Sequence, residues 1–339
     1  MIEKIPFIIA EMSGNHNQSL GRALAIVDAA ADAGVDAVKI QTYTADTMTI
    51  DIDTGEFFIS DKDSLWKGET LYHLYEKAHT PWEWHKAIFE RCKERGIMGF
   101  STPFDDTSVD FLEDLGVPCY KIASFENVDL PLIRKVARTG KPIIASTGMT
   151  TVAELSDLVQ TVRENGCTDL TLLKCTSSYP ASPEGTNLRT IPHMRELFGC
   201  AVGLSDHTLG IGAAVASVAL GAAVIEKHFT LSRAEGGVDA AFSLEPAEMA
   251  QLVRECRTAA LALGTVSYER AEQEQKSLQF RRSLYVVEDI KAGDVFTEKN
   301  LRRIRPGMGL SPKYYDIILG KKANCSITRG TAVQWDLIE

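Results

Sequence analysis

The sequence lacks several things whose absence narrows the reading. At the N-terminus the only apolar run is Pro6 to Ala10, and Glu11 ends it long before a secretory core or a span of roughly 20 residues could form. Positive charge is not in excess: 36 Lys and Arg stand against 46 Asp and Glu, a formal net charge of -10 with a pI of 5.3. That balance argues against duplex nucleic acid or an anionic membrane as partner, so an anionic substrate must be met by a few local cations. No C-x-x-C pair occurs among the seven cysteines (Cys92, Cys119, Cys167, Cys175, Cys200, Cys256, Cys325), which are scattered and odd in number. A reducing, cytoplasmic compartment is the expectation. Low-complexity stretches are missing too, and no G-x-G-x-x-G follows any expected strand, which removes the usual dinucleotide signature of a doubly wound sheet.

What is present is a chain of 339 residues, long enough for one large domain and a short second one. Short β-branched runs recur eight times, at 6–11, 37–43, 97–102, 119–124, 142–147, 170–176, 201–207 and 224–230. Helix-patterned stretches lie between them, among them 20–33, 82–95, 152–164 and 212–220. Eight βα units imply a TIM (β/α)8 barrel, an α/β fold, over residues 1–266. A polar, charged linker over 267–282 follows, carrying a short helix. The tail, 283–339, contains two similar pieces, Asp289-Ile-Lys-Ala-Gly-Asp-Val-Phe296 and Ser326-Ile-Thr-Arg-Gly-Thr-Ala-Val333, each read as strand, turn and strand around a glycine. This repeat suggests a small pseudo-symmetric β module, too short to be comfortably stable unless it packs on the barrel.

Barrel enzymes place their chemistry at the C-terminal ends of the strands. Here those ends carry Glu11, Lys39, Gln41, Thr102, Lys121, Ser124, Ser146, Thr147, Ser205, His207, Glu226 and His228. His207 and His228 end consecutive strands, so two imidazoles can meet above the barrel and suit manganese, cobalt, zinc or iron; the alternative is two solitary hydrogen-bonded histidines. Ser205, Asp206 and His207 are not a catalytic triad, because neighbours on a strand face opposite ways. Lys39 shares its parity with Gln41 and Tyr43, while Val38 and Ile40 turn toward the helices. Lysines inside a barrel are costly without an anion, so Lys39 and Lys121 with Thr102, Ser124, Ser146 and Ser205 read as a cradle for phosphate and carboxylate. A Schiff base on either lysine, or simple pairing with a strand-end Glu, are the alternatives. Glu11, in an apolar setting, has a raised pKa as its expectation and is a candidate for proton transfer or for binding substrate hydroxyls, with a structural hydrogen-bond acceptor as the other reading.

These residues sit in motifs that resemble the sialic acid synthase family, most closely its pseudaminic acid synthase branch: Ile8-Ile-Ala-Glu11, Val38-Lys-Ile-Gln-Thr-Tyr43, Phe100-Ser-Thr-Pro-Phe104, Tyr120-Lys-Ile-Ala-Ser124, Ser146-Thr-Gly-Met149, Gly203-Leu-Ser-Asp-His207 and Glu226-Lys-His-Phe-Thr230. The resemblance covers nearly the whole chain. It implies a metal-dependent transferase that binds phosphoenolpyruvate through Lys39, Thr102, Lys121, Ser124, Ser146 and Ser205. His207 and His228 would hold a divalent metal (manganese, magnesium or cobalt) that polarises the open-chain sugar aldehyde while carbon 3 of phosphoenolpyruvate attacks. Water then adds at carbon 2, and phosphate leaves by carbon-oxygen cleavage. Glu11 is a suitable carboxylate for the oxocarbenium-like centre. The tail resembles the antifreeze-like (SAF, β-clip) module of these enzymes, with Arg305-Pro-Gly307 as its Arg-Pro-Gly motif. A domain-swapped homodimer is therefore implied, in which Arg305 serves the neighbour's substrate.

The acceptor sugar is read from departures. Family members that use N-acetylmannosamine carry Gly-Ser-Gly-Glu and Cys-Thr-Asn-x-Tyr-Pro, where this chain has Ala123-Ser-Phe-Glu126 and Cys175-Thr-Ser-Ser-Tyr-Pro180. The segment after the second strand is aromatic, with Phe57, Phe58, Trp66, Tyr72, Tyr75, Trp82 and Trp84. An apolar lid would suit a deoxy, doubly acetylated sugar such as a 2,4-diacetamido-2,4,6-trideoxy-altrose; otherwise these rings pack a helix onto the barrel. Tyr179 and Asp239 match sugar-contacting positions, with Phe104 and Ser177 as further candidates. The same chemistry on N-acetylmannosamine or a legionaminic precursor is the nearest alternative, and a non-catalytic sugar-binding protein is the alternative of a different class.

Overall fold

The computed structural model describes residues 5–62 and 64–339. They divide into two compact units, Met1–Gly264 and Thr265–Glu339. In the first, eight strands close into a parallel barrel in sequence order: β1 (Phe7–Glu11), β2 (Ala37–Thr42), β3 (Met98–Pro103), β4 (Tyr120–Ile122), β5 (Ile143–Ser146), β6 (Leu170–Cys175), β7 (Ala201–Asp206) and β8 (Val224–His228). The circle closes where β1 pairs with β8, with Glu11 opposite His228.

Strand parity sorts the side chains into two layers. Outward residues such as Ile8, Val38, Ile40, Ile122, Leu172 and Leu204 pack into the main apolar core with the helices. Inward residues Ile9, Ala37, Phe100, Cys119, Ile144, Leu173 and Val224 form a separate apolar plug that fills the barrel. The helices start where their caps dictate. Val152–Glu164, for example, begins at Thr151, whose hydroxyl accepts from the Glu154 N–H while the Glu154 carboxylate accepts from the Thr151 N–H. The pattern over 82–95 resolves into a 3-10 turn, Trp82–Trp84, followed by an α-helix, His85–Glu94.

In the second unit only β9 (Ser283–Val286) and β10 (Leu301–Ile304) form a ladder, and it is antiparallel. The two repeated pieces differ from the strand-turn-strand expectation, because they meet through an isolated bridge, Ile290 to Ile327, rather than through strands of their own. Each piece turns at a glycine with positive φ, Gly293 at 82° and Gly330 at 89°, a conformation that other residues rarely adopt. Ile290 and Phe296 in one piece, and Ile327 and Val333 in the other, hold equivalent positions and enter one core.

Candidate active site

Above the plug, the inward-facing ends of the strands line a cavity of about 340 Å³. Its floor is charged. Lys39 Nζ lies 2.6 Å from Glu11 Oε2 and 3.7 Å from Glu226 Oε1, and donates to Thr102 Oγ1 at 3.2 Å. Lys121 Nζ donates to Ser146 Oγ at 2.7 Å and to the Ile122 carbonyl at 3.1 Å, and sits 3.8 Å from Glu226 Oε1. All four charged groups are buried. Gln41 donates from Nε2 to Glu11 Oε1 at 2.9 Å and to Ser13 Oγ at 3.2 Å, and Ser205 Oγ donates to Glu226 Oε1 at 3.3 Å.

The two lysines are not equivalent. Burial alone would lower the Lys39 ammonium, but Glu11 and Glu226 outweigh it and hold Lys39 above the ordinary lysine range. Burial wins at Lys121, despite Glu226, and leaves it below that range. Burial raises the Glu11 carboxyl against the pull of Lys39. It opposes the ionised form of Glu226 as well, yet the flanking Lys121 and Lys39 hold that carboxyl below the usual carboxylate range. The difference matters chemically: Lys121 is the cation with the least local compensation, and so the one freest to meet an incoming anion.

Beside this floor, just past the end of β7 and at the end of β8, the rings of His207 and His228 have centroids 5.3 Å apart. His207 Nδ1 lies 3.0 Å from the Thr176 carbonyl, and donation there leaves Nε2 open. Burial lowers His207, but the nearby Cys175 sulfur, 3.8 Å from Nδ1, and that carbonyl outweigh it. Burial, reinforced by the charges of His207 and Lys39, drives His228 well below the ordinary imidazole range. Its Nδ1 is buried without a hydrogen-bond partner and lies 3.6 Å from Asp239 Oδ2. An orphaned neutral nitrogen beside an open one is the donor set a divalent cation accepts. Among the described residues no three His, Cys, Asp or Glu side chains converge on one point. A metal here would draw two nitrogens from the chain and its other ligands from solvent or substrate.

The outer wall is apolar and comes largely from the segment after β2: Met48, Ile59, Trp66, Leu71, Leu74 and Tyr75, with Phe104 and Phe125 from later loops. The aromatic segment thus divides. Trp66 and Tyr75 line the cavity, and the Trp66 indole donates to the Val238 carbonyl at 3.1 Å. Trp82 instead stacks on Phe111, and Trp84 meets His16 edge-on in the barrel packing.

Of the residues singled out from sequence, Glu11, Lys39, Gln41, Phe104, Lys121, Ser124, Ser146, Tyr179, Ser205, His207, His228 and Asp239 all line this cavity. Thr102 lies behind Lys39, and Ser177 lies near Cys175. Arg305 is exposed in the second unit. Ser13, Cys175, Glu126 and Glu226 also line the cavity, and the sequence reading assigns none of them a role. Glu226 was legible, since it shares parity with His228 on β8. Ser13 hydrogen-bonds to Asp239 from a turn whose positive φ of 47° nothing in the sequence signals. The Cys175 thiol is drawn down to about 7, against burial, by its hydrogen bond toward His207 and by the charges of His207 and Lys121. Burial pushes the Glu126 carboxyl up to about 7, and its Oε2 has no partner.

Comparison with known proteins agrees with this geometry. Residues 26–268 match the NeuB family and residues 281–339 the SAF domain. The chain is 46% identical to the pseudaminic acid synthase of Campylobacter jejuni (strain 81-176), covering 98% of this chain and 96% of that one. Identity to the pseudaminic acid synthase of Helicobacter pylori is 43%, covering 98% of each. Among solved structures, the N-acetylneuraminic acid synthetase of Leptospira borgpetersenii superposes with a TM-score of 0.72 at 32% identity, over 82% of this chain and 92% of that one.

Proposed function

The chain belongs to the NeuB family and carries a SAF domain, and from that premise we propose that it is a pseudaminic acid synthase. It condenses phosphoenolpyruvate with 2,4-diacetamido-2,4,6-trideoxy-β-L-altropyranose and water, giving pseudaminic acid and phosphate. The observation that carries this reading is the division of one cavity into a charged floor, whose two lysines are met by Glu11 and Glu226, and an apolar wall. The floor suits the phosphate and carboxylate of phosphoenolpyruvate, with Lys39 and Lys121 supplying charge, Ser124, Ser146 and Ser205 supplying hydroxyl donors, and Thr102 holding the Lys39 ammonium from behind. The wall suits a 6-deoxy, doubly acetylated sugar.

In the reaction, carbon 3 of phosphoenolpyruvate forms the new bond to the sugar's aldehyde carbon, and positive character develops at carbon 2. The Glu11 carboxylate, held against Lys39, faces that centre and stabilises it. Water adds at carbon 2, and the carbon-oxygen bond to phosphate breaks, with Lys121 and Ser146 taking up the departing charge. Gln41, Tyr179 and Asp239 orient the sugar, with Phe104 and Ser177 at the edge of its site. A divalent metal (manganese, magnesium or cobalt) at His207 and His228 supplies Lewis-acid polarisation of the aldehyde when bound. As part of the same proposal the protein works in the cytoplasm, in keeping with seven free cysteines, and as a homodimer in which Arg305 of the partner subunit completes the sugar site. No helix among the described residues is long and apolar enough to cross a membrane.

The test is phosphate release from phosphoenolpyruvate with the altrose-type sugar and, separately, N-acetylmannosamine, each with manganese and with excess chelator. Release with the altrose sugar alone, abolished by chelator, is the expected result. Release only with N-acetylmannosamine would overturn the acceptor assignment, and release with neither would return the protein to the sugar-binding class.

A further inference from the structure

Between the barrel and its helices, among the described residues, one ion pair is fully buried. Lys227 Nζ lies 2.8 Å from Asp206 Oδ2, and both side chains are 0% exposed. The two residues are direct partners in the β7–β8 ladder, and each immediately precedes one of the site imidazoles, His207 and His228. Further bonds tie the pair down. Asp206 Oδ1 accepts from the Thr208 N–H at 2.9 Å and the Thr208 hydroxyl at 2.8 Å, while Lys227 also donates to the Thr208 carbonyl. Lys227 therefore grips the residues on both sides of His207, and its own backbone runs on into His228.

Stability does not account for such a pair, because desolvating two charges offsets most of their attraction, and an apolar pair of similar volume is often equal or better. What the pair does supply is a fixed relation between two strand ends. Parity forces the consequence: with Asp206 and Lys227 locked on the outer face, His207 and His228 are both locked on the inner one. We propose that the Asp206, Lys227 and Thr208 clip fixes the separation and orientation of His207 and His228, and so sets the affinity of this imidazole pair for a divalent cation. Asp206 and Lys227 are positioning residues, and the inference rests on reading the two histidines as a metal site.

Cobalt(II) titration of the full-length protein, followed by visible absorption, tests this with the D206L/K227M and T208V variants. The double variant should keep a thermal midpoint close to wild type and yet bind cobalt roughly 10- to 100-fold more weakly, the range typical when groups that orient metal ligands are lost. Its crystal structure should show the imidazoles displaced from their 5.3 Å separation. T208V, which removes one hydrogen bond and no charge, should weaken cobalt binding about fivefold. A folded double variant with wild-type cobalt affinity and imidazole spacing overturns the proposal. Should that variant not fold, unchanged affinity in T208V overturns it. If the wild type binds no cobalt, the metal reading fails by itself, and the imidazole spacing in the variant structures still decides whether the clip positions the pair.

Discussion

Replacing Lys121 by Met is expected to strike phosphoenolpyruvate binding and leave the fold standing. Lys121 is 2% exposed, and its nearest partners are a hydroxyl and a carbonyl, with the carboxylate it pairs with, Glu226, 3.8 Å away. Two unit charges 4 Å apart in a medium of effective dielectric 20 attract by about 4 kcal/mol. The Ser146 hydroxyl, released from Lys121, can turn to the substrate anion and return about 1 kcal/mol. The remaining 3 kcal/mol or so corresponds to a rise in KM for phosphoenolpyruvate of roughly 100-fold. Glu226 keeps Lys39 at 3.7 Å and Ser205 at 3.3 Å, so it is not left as a lone buried charge. Lys39→Met is the contrasting variant. It strips Glu11 of the ammonium 2.6 Å away, and breaking a buried pair in this way costs about 3–5 kcal/mol of stability. The assay is initial-rate phosphate release against phosphoenolpyruvate at saturating sugar, with a thermal midpoint for each variant. A folded Lys121→Met enzyme whose KM stays within about threefold of wild type would refute the anion-cradle reasoning.

Glu126, raised to about 7 from an ordinary 4.5, binds more protons folded than unfolded between those values, so it subtracts stability as pH rises through that window. Glu126→Gln should remove that slope and gain at most about 3 kcal/mol at pH 8 in urea unfolding, with little gain near pH 4; equal gains at both pH values would show that burial is not the cause. Gly148→Ala drives a Cβ into Ser177 Oγ and places it 2.7 Å from Ser124 Oγ. Since Ser124 accepts the Gly148 N–H at 3.1 Å, that hydroxyl must move. The expected outcome is a stability loss of about 1–3 kcal/mol from overpacking, together with a raised KM for phosphoenolpyruvate as Ser124 is displaced, and an unaltered KM would place Ser124 outside the substrate site.

All eight barrel strands were legible because each pairs a β-branched run with a polar residue at its C-terminal end, and parity alone then separated Lys39 and Gln41 from Val38 and Ile40. Parity gave Glu226 its direction but not its partners, since a carboxylate between two lysines is a relation among three strands. Loops carried less. Nothing in the Ser13 or Glu126 neighbourhoods announces a buried acceptor, because burial there depends on segments distant in sequence. The fourth strand is shorter than its run, stopping at Ile122, where the chain enters a turn closed by the Glu126 N–H donating to the Ala123 carbonyl. The tail's repeat was visible through its glycines and apolar positions, while its pairing, a bridge instead of a ladder, depends on how the two glycine turns meet.

The apolar plug of Ile9, Phe100, Leu173 and their neighbours makes the cavity a cul-de-sac. Traffic has one door. The ligand that belongs on the charged floor has to arrive before the one that belongs against the wall, because the second occupant blocks the way of the first. An order of filling, floor before wall, is the expected consequence of seven apolar side chains that close the barrel beneath the site.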